Sequence, residues 1–276
     1  MLKKLGQGFI YFILFGWLLA VIFPILYMFL SSFKSDQEIV NNPWSFPETL
    51  KFENYIEAWG SGSANLGVFF TNSVIVTVCT LILVIILSTL AGYALARYPF
   101  YGNNAVFRSM FIFIAVPVHA LLVPVFVMME DINLVDNLWG LVLVYTTFQL
   151  PFSIIIMRSY FESVPRAIEE SARMDGCSEL RVFWLIAVPV AKSAIATLVI
   201  INMVNIWSEL LFASVLLTSP ETRTLPVGIM NLAGGMFGTS QSLLFASLAI
   251  STLPMLIIYF IFQNQIQKGM TVGAVK

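Results

Sequence analysis

The sequence predicts an all-α polytopic membrane protein with six transmembrane helices. Three observations carry that prediction: a shortage of charge, six apolar runs of spanning length, and basic residues gathered on one side. Of 276 residues, 59% are hydrophobic and 11% charged, with a mean hydropathy of +0.89. A soluble domain carries about 25% charged residues, so this chain cannot cover a water-facing surface. A soluble enzyme and a disordered chain are both excluded, and the net charge of −1 gives no basic field for nucleic acid. Cys79 and Cys177 lie far apart, and His119 is the single histidine. Neither a disulfide framework nor a His-based metal site is expected, and no metal-binding or catalytic residue is assigned.

A helix needs about 20 apolar residues to cross the hydrocarbon. In order, the expected spans lie near 9–30, 73–94, 110–129, 138–157, 193–216 and 243–262. The first follows Lys3 and Lys4 but is too long for a signal-peptide core, and no A-x-A-like site follows it. It reads as a retained anchor. The second occupies a charge-free stretch between Glu57 and Arg97. Pro24, Pro117, Pro124 and Pro254 fall inside spans and suggest kinked helices packed on neighbours, with the greater frequency of proline in membrane helices an equal alternative for any one of them. Residues 1–276 are expected to form a single membrane domain.

With both termini in the cytoplasm, the inner side holds Lys3, Lys4, Arg97, Arg108, Arg158, Arg166, Arg173, Arg181, Lys192, Lys268 and Lys276. The outer side holds Lys34, Lys51 and Arg223, so the basic residues divide eleven to three. That division follows the positive-inside rule, and the opposite orientation breaks it. The expected location is the cytoplasmic membrane, in contact with lipid. Trp139 and Trp184, near span ends, read as interfacial anchors.

The cytoplasmic segment 158–192 is unlike the other loops because it is rich in charge. Ser163 is expected to cap a short helix with Pro165 in its first turn, and Gly176 to end that helix in the left-handed conformation. Ser178 is expected to cap the helix leading into span five. Ile168, Ser171, Ala172 and Met174 fall largely on one side of the short helix, with Arg166, Glu169, Glu170 and Arg173 mostly elsewhere. Lipid-surface helices pair large apolar residues with a basic face. Here the apolar face is small and the polar face is mixed in sign, which favours docking on another protein.

The run Glu170-Ser171-Ala172-Arg173-Met174-Asp175-Gly176-Cys177, followed by Ile186 and Pro189, resembles the EAA loop of ABC-importer permeases. Ser171 and Cys177 depart from that pattern, each by a small residue for an alanine. The resemblance extends over nearly the whole chain to the maltose-type permeases of carbohydrate importers, in particular the second, shorter permease of the pair. It rests on Phe23-Pro24, Ser31-Ser32-Phe33-Lys34, Pro47 to Tyr55, Ala91-Gly92-Tyr93-Ala94-Leu95-Ala96-Arg97, Trp207-Ser208-Glu209-Leu210-Leu211 and the tail from Lys268.

The resemblance implies a type I ABC-importer architecture. The chain is then one half of a permease heterodimer working with two ATPase subunits and an extracytoplasmic solute-binding protein. Glu170, Ser171, Ala172, Asp175, Gly176 and Pro189 become the residues that couple to the ATPase. No G-x-x-x-x-G-K-[ST] pattern occurs in the sequence, so ATP and Mg belong to partner subunits, and the chain itself is not expected to be an enzyme or to hold a cofactor. The glycine-rich stretch with Gly234, Gly235 and Met236 resembles the family's loop that contacts the binding protein. An ordinary flexible turn is nearly as good a reading of it.

Asn202, Asn205 and Glu209 recur at helical spacing in span five and are candidates for the translocation path, with Trp207 as a stacking surface for sugar. Interhelical hydrogen bonding is an equal alternative for the two asparagines, and Glu209 could instead face a gate or the partner permease. Thr146, Thr147 and Gln149 read as packing groups. His119 reads as packed or hydrogen-bonded, and Cys79 and Cys177 as small packing residues. Two other functions stay open on sequence alone: an ion-gradient-driven carrier, for which Glu209 is the charge well inside a span, and an ABC permease for a non-sugar solute.

Overall fold

The computed structural model describes residues 2–61, 65–234 and 240–272, with side chains over 7–60, 65–234 and 240–263. The described residues are helical almost throughout. In order they form α1 (Leu2–Ser31), α2 (Asp36–Asn41), α3 (Glu53–Ile56), α4 (Leu66–Arg97), α5 (Asn103–Ala115), α6 (Leu122–Asp131) and α7 (Leu138–Ser163). Then follow α8 (Ala167–Met174), α9 (Glu179–Val182), α10 (Val188–Val190), α11 (Lys192–Trp207), α12 (Leu211–Leu216), α13 (Leu225–Ala233) and α14 (Gln241–Val272).

Four of these helices, α1, α4, α7 and α14, are long and apolar enough to cross a bilayer unbroken, and with each of two bent pairs taken as one span the total is six. Expected span three, 110–129, is split between α5 and a second segment, Val118–Asp131, at an angle of 89°. Pro117 is the cause. It has no N–H to donate and pushes Val116 into extended backbone, with φ −75° and ψ 125°. The second bent pair joins Glu179–Val190 to α11 at 70°. Pro189 cannot bond the carbonyl four residues back, and Phe183–Ala187 just before it is a π-helical turn. Expected span five, 193–216, therefore ends as a helix at Trp207, and Leu211–Leu216 is a separate short helix.

The described chain packs as two compact units. One comprises Met1–Phe69 and Val227–Pro254. Its α1 is exposed along most of its length, with Phe12 and Trp17 more than 70% exposed, so lipid or another chain must cover it. After α1 the chain folds into a tight cap. Lys34 is fully buried, its Nζ donating to the carbonyls of Asn42 (2.9 Å) and Pro43 (3.1 Å). Asn54 Nδ2 donates to the carbonyls of Ser32 (2.8 Å) and Lys34 (2.9 Å). The Asn54 bonds join the two sequence signatures at 31–34 and 47–55.

The other unit comprises Phe70–Pro226 and Met255–Lys276. Near one end of α4 and α7, a Cβ built on Gly92 would lie 2.6 Å from Met157 Cβ, so only glycine admits this approach. There Tyr93, Ala96, Met157, Phe161, Phe183, Ala187, Ala191, Ala194 and Leu198 form one buried cluster. The Tyr93 ring packs on Phe161 and Phe183 at centroid separations of 5.2 and 5.1 Å, contacts of about 0.5–1.5 kcal/mol each. Elsewhere in this unit Asn72 Nδ2 donates to the carbonyls of Glu221 (2.8 Å) and Arg223 (3.0 Å). Asp136, at a φ of 57°, accepts the N–H groups of Thr218 (3.0 Å) and Ser219 (2.9 Å) and the hydroxyls of Ser219 and Thr222. Burial pushes the Asp136 carboxyl up, but the Ser219 and Thr222 hydroxyls and the two N–H groups outweigh it and bring it down to about 2.

Candidate functional site

The segment 158–192 is nearly all helical, and its elements begin and end for local reasons. Helix α7 runs on to Ser163, which therefore does not cap the next helix. The Ser163 hydroxyl bonds back to the Tyr160 carbonyl (2.7 Å), and α8 starts after Arg166 with no side-chain cap. Pro165 holds Val164 extended, at ψ 128°, which stops α7 there. At the other end of α8, Gly176 takes a φ of +85°. Its N–H bonds the Arg173 carbonyl and the Cys177 N–H bonds the Ala172 carbonyl, both at 3.0 Å. This is a Schellman cap, with glycine in the left-handed position as expected. Ser178 precedes α9 in extended conformation, at ψ 156°, without bonding through its side chain.

Helix α8 presents one face inward and one outward. Glu169 (2% exposed) and Ala172 (7%) face inward. Glu170, Ser171, Asp175 and Gly176 are exposed, together with Ile168 (45%) and Met174 (88%). Most of the predicted coupling residues thus share one open surface, whereas Ala172 turns away from it and Pro189 lies exposed beyond α9. Met174 and Ile168 make the open surface less small and more apolar than the sequence pattern suggests.

Sequence reasoning missed the group that holds the inward face. Arg97 Nε donates to Glu169 Oε1 at 2.8 Å, with the two side chains 4% and 3% exposed. The Tyr93 hydroxyl donates to Glu169 Oε2 at 3.0 Å, and Arg97 Nη2 to the Val164 carbonyl at 3.0 Å. Arg166 Nη2 reaches back to the Ala96 carbonyl at 3.3 Å. Arg97 ends α4 within the run 91–97 that carries the family resemblance, so its position was visible, but its partner was not. Farther out, Arg173 makes two bonds to Glu179, at 2.7 and 3.1 Å, and the Tyr98 hydroxyl donates to Glu179 at 2.5 Å. Arg173 and Tyr98 lower the Glu179 carboxyl, while burial and then Glu179 raise the Tyr98 phenol. Glu179 is 54% exposed, and an ion pair this open contributes little.

The three residues expected on a translocation path do not form one open polar face. Asn202 is fully buried and donates to the Ser153 hydroxyl (3.1 Å) and the Leu198 carbonyl (2.8 Å), tying α11 to α7. Asn205 is exposed. Glu209 is half-buried. It accepts the Phe212 N–H at 2.9 Å and the Ala213 N–H at 3.2 Å, capping α12, and the Tyr145 hydroxyl bonds it as well. The adjoining cavity, about 10 Å³, has room for one water at most and for no sugar ring. Trp207 is 5% exposed with its ring against Phe70, so it offers no face for stacking. Thr146 and Thr147 bond carbonyls of their own helix, at 2.7 and 2.9 Å.

His119 is exposed in the turn Val118–Leu121 rather than packed away. Cys79 and Cys177 are half-buried free thiols. Trp139 (58%) and Trp184 (52%) are exposed. Helix α13 runs up to Ala233, and the Gly234 N–H that follows bonds the Met230 carbonyl at 2.9 Å. Gly235 and Met236 lie outside the described residues, as do residues 273–276 of the tail.

The family model described as binding-protein-dependent transport system inner membrane component matches residues 85–272. Among known relatives, the diacetylchitobiose uptake system permease protein NgcG of Streptomyces coelicolor is 34% identical over 93% of this chain and 85% of its own length. The arabinooligosaccharides transport system permease protein AraQ of Bacillus subtilis is 32% identical, over 94% of this chain and 92% of its own. Among solved structures, a chain of a bacterial ABC transporter involved in the import of alginate superposes with a TM-score of 0.81 at 25% identity, covering 93% of this chain and 95% of that one. An alginate transporter solved in complex with an alginate pentasaccharide-bound periplasmic protein has the same fold, with a TM-score of 0.63 at 17% identity over 91% and 92% of the two chains. The chain belongs to the family of binding-protein-dependent transport system inner membrane components: it is a multi-pass transport permease of the ABC-importer type, not an enzyme.

Proposed function

We propose that this permease carries an oligosaccharide inward and is driven through the outward face of α8. The observation that carries the reading is that face itself: Ile168, Glu170, Ser171 and Met174 stand open on a short helix whose opposite face is anchored by a buried ion pair. Two such half-permeases would enclose the path, with both termini in the cytoplasm. Two ATPase subunits, holding ATP and Mg, would each receive one α8, and Glu170 would meet a basic group there. When ATP draws the ATPases together, the docked helices follow and the spans rock between inward-open and outward-open states. An extracytoplasmic binding protein would deliver the sugar. Relatives named for diacetylchitobiose and arabinooligosaccharides, and a neighbour that imports alginate, support a saccharide.

The test is co-expression with the cognate ATPase and partner permease. Glu170→Lys should insert normally, lose co-purification of the ATPase and abolish uptake. Intact co-purification and uptake in that variant would overturn the docking reading. The ligand class is read separately from which saccharide raises the melting temperature of the cognate binding protein.

A further inference from the structure

We propose that Arg97 and Glu169 form a latch that makes α8 a rigid extension of span two, so that force on α8 reaches α4 through a buried ion pair while its chain path to span five runs through the glycine hinge. The proposal rests on the docking role of α8 given above and adds the route by which its motion is delivered.

The two connections from α8 into the membrane differ in kind. Toward α4 there are three ties: Arg97 to Glu169 at 2.8 Å, Tyr93 to Glu169 at 3.0 Å and Arg166 to the Ala96 carbonyl at 3.3 Å. Arg97 also grips the Val164 carbonyl, which closes the gap between α7 and α8. Toward α11 the chain passes through Gly176 in left-handed backbone, bridged by the open Arg173–Glu179 pair, and then through the π-helical turn Phe183–Ala187 and the 70° bend before Lys192. Each of these features interrupts a continuous rod.

A buried ion pair is an inefficient source of stability, because desolvating both charges offsets most of their attraction. What it supplies is geometry. With one partner removed the other is left as a buried bare charge, so the pair holds a single arrangement. Charge-assisted bonds to both Glu169 oxygens leave the carboxylate little freedom to rotate. Adjacent glutamates thus take opposite roles: Glu170 faces outward to a partner, and Glu169 faces inward as a positioning residue. Neither touches the transported solute.

The test uses the full complex in nanodiscs, with Cys79 and Cys177 replaced and spin labels at Met174 on α8, Leu90 on α4 and Ile201 on α11, all exposed in the isolated chain. Because Met174 lies on the docking face, ATPase co-purification of the labelled complex is confirmed first, and its loss leaves the Glu169→Gln coupling ratio to decide. Between nucleotide-free and ATP-bound states, the 174–90 distance should stay constant within about 1–2 Å while the 174–201 distance shifts by more. Glu169→Gln should keep ATPase co-purification, because the outward face is untouched. It should broaden the 174–90 distribution and raise the ATP hydrolysed per sugar moved by roughly tenfold.

Should Glu169→Gln fail to fold, the neutral pair Arg97→Gln/Glu169→Gln removes the buried charge and is expected to show the same uncoupling. The wild-type distances need no such variant. An ATPase-bound complex whose 174–90 distance changes as much as 174–201 overturns the latch alone, and so does Glu169→Gln with wild-type coupling. Absence of the ATPase from the wild-type complex overturns the docking reading and the latch with it.

Discussion

Replacing Gly176 separates backbone conformation from side-chain bulk. At φ +85° an L-residue pays about 1–2 kcal/mol for the left-handed region. A Cβ built there meets nothing within 4 Å, so this chain adds no steric cost. The whole penalty falls on the cap that ends α8, where two backbone bonds of 3.0 Å depend on the turn. One to two kcal/mol corresponds to roughly a 5- to 30-fold loss in population of the capped geometry. Asparagine tolerates left-handed backbone better than alanine, and a β-branched residue tolerates it least. Uptake of labelled substrate into proteoliposomes should therefore fall in the order Gly, Asn, Ala, Val, with membrane insertion unchanged. Asparagine is larger than alanine, so an order that puts Ala above Asn would refute the backbone argument and show that volume against a docked partner sets the requirement.

Other outcomes follow from the same geometry. Asp136→Ala strips the acceptor from two N–H groups and two hydroxyls and should cost about 1–3 kcal/mol, seen as a lower melting temperature of the solubilised complex. Because the folded carboxyl titrates at about 2 against an ordinary 3.8, its stabilisation is complete above the ordinary value and is lost as pH falls through that window. The difference in melting temperature between wild type and Asp136→Ala should accordingly shrink as pH falls from about 5 to about 2; a difference independent of pH would contradict the assigned partners. Asn202→Ala should lower stability by about 1 kcal/mol through loss of its bonds to Ser153 and Leu198, and leave the KM for substrate unchanged. A raised KM with unchanged stability would return Asn202 to the translocation path.

The sequence read most clearly where one physical constraint dominates. Spanning length and the need for positive φ at Gly176 were legible, because each depends on local composition or on one residue. What stayed hidden depends on which helices meet. Glu169 and Glu170 are adjacent identical residues, and only the packing of α8 against α4 turns the first toward Arg97 and leaves the second open. Pro117 announced a kink, but an 89° break depends on how the freed carbonyls are met by neighbours, and Pro189, read only as part of the coupling loop, follows a π-helical turn that no sequence signal marked. Asn202 and Glu209 share a spacing that suits a polar path. The break after Trp207 turned Glu209 into a cap for α12, and Ser153 across the helix pair claimed Asn202. Lys34 counted as an outer surface charge until the cap formed by residues 32–55 buried it.

The central claim is that α8 is a handle gripped from the cytoplasm. Its most direct test is thiol labelling at Met174→Cys, 88% exposed in the isolated chain, in a background lacking Cys79 and Cys177. In the assembled complex the labelling rate should fall by at least about tenfold relative to the permease without ATPase, and remain low in both nucleotide states. An equal rate with and without the ATPase would contradict the account.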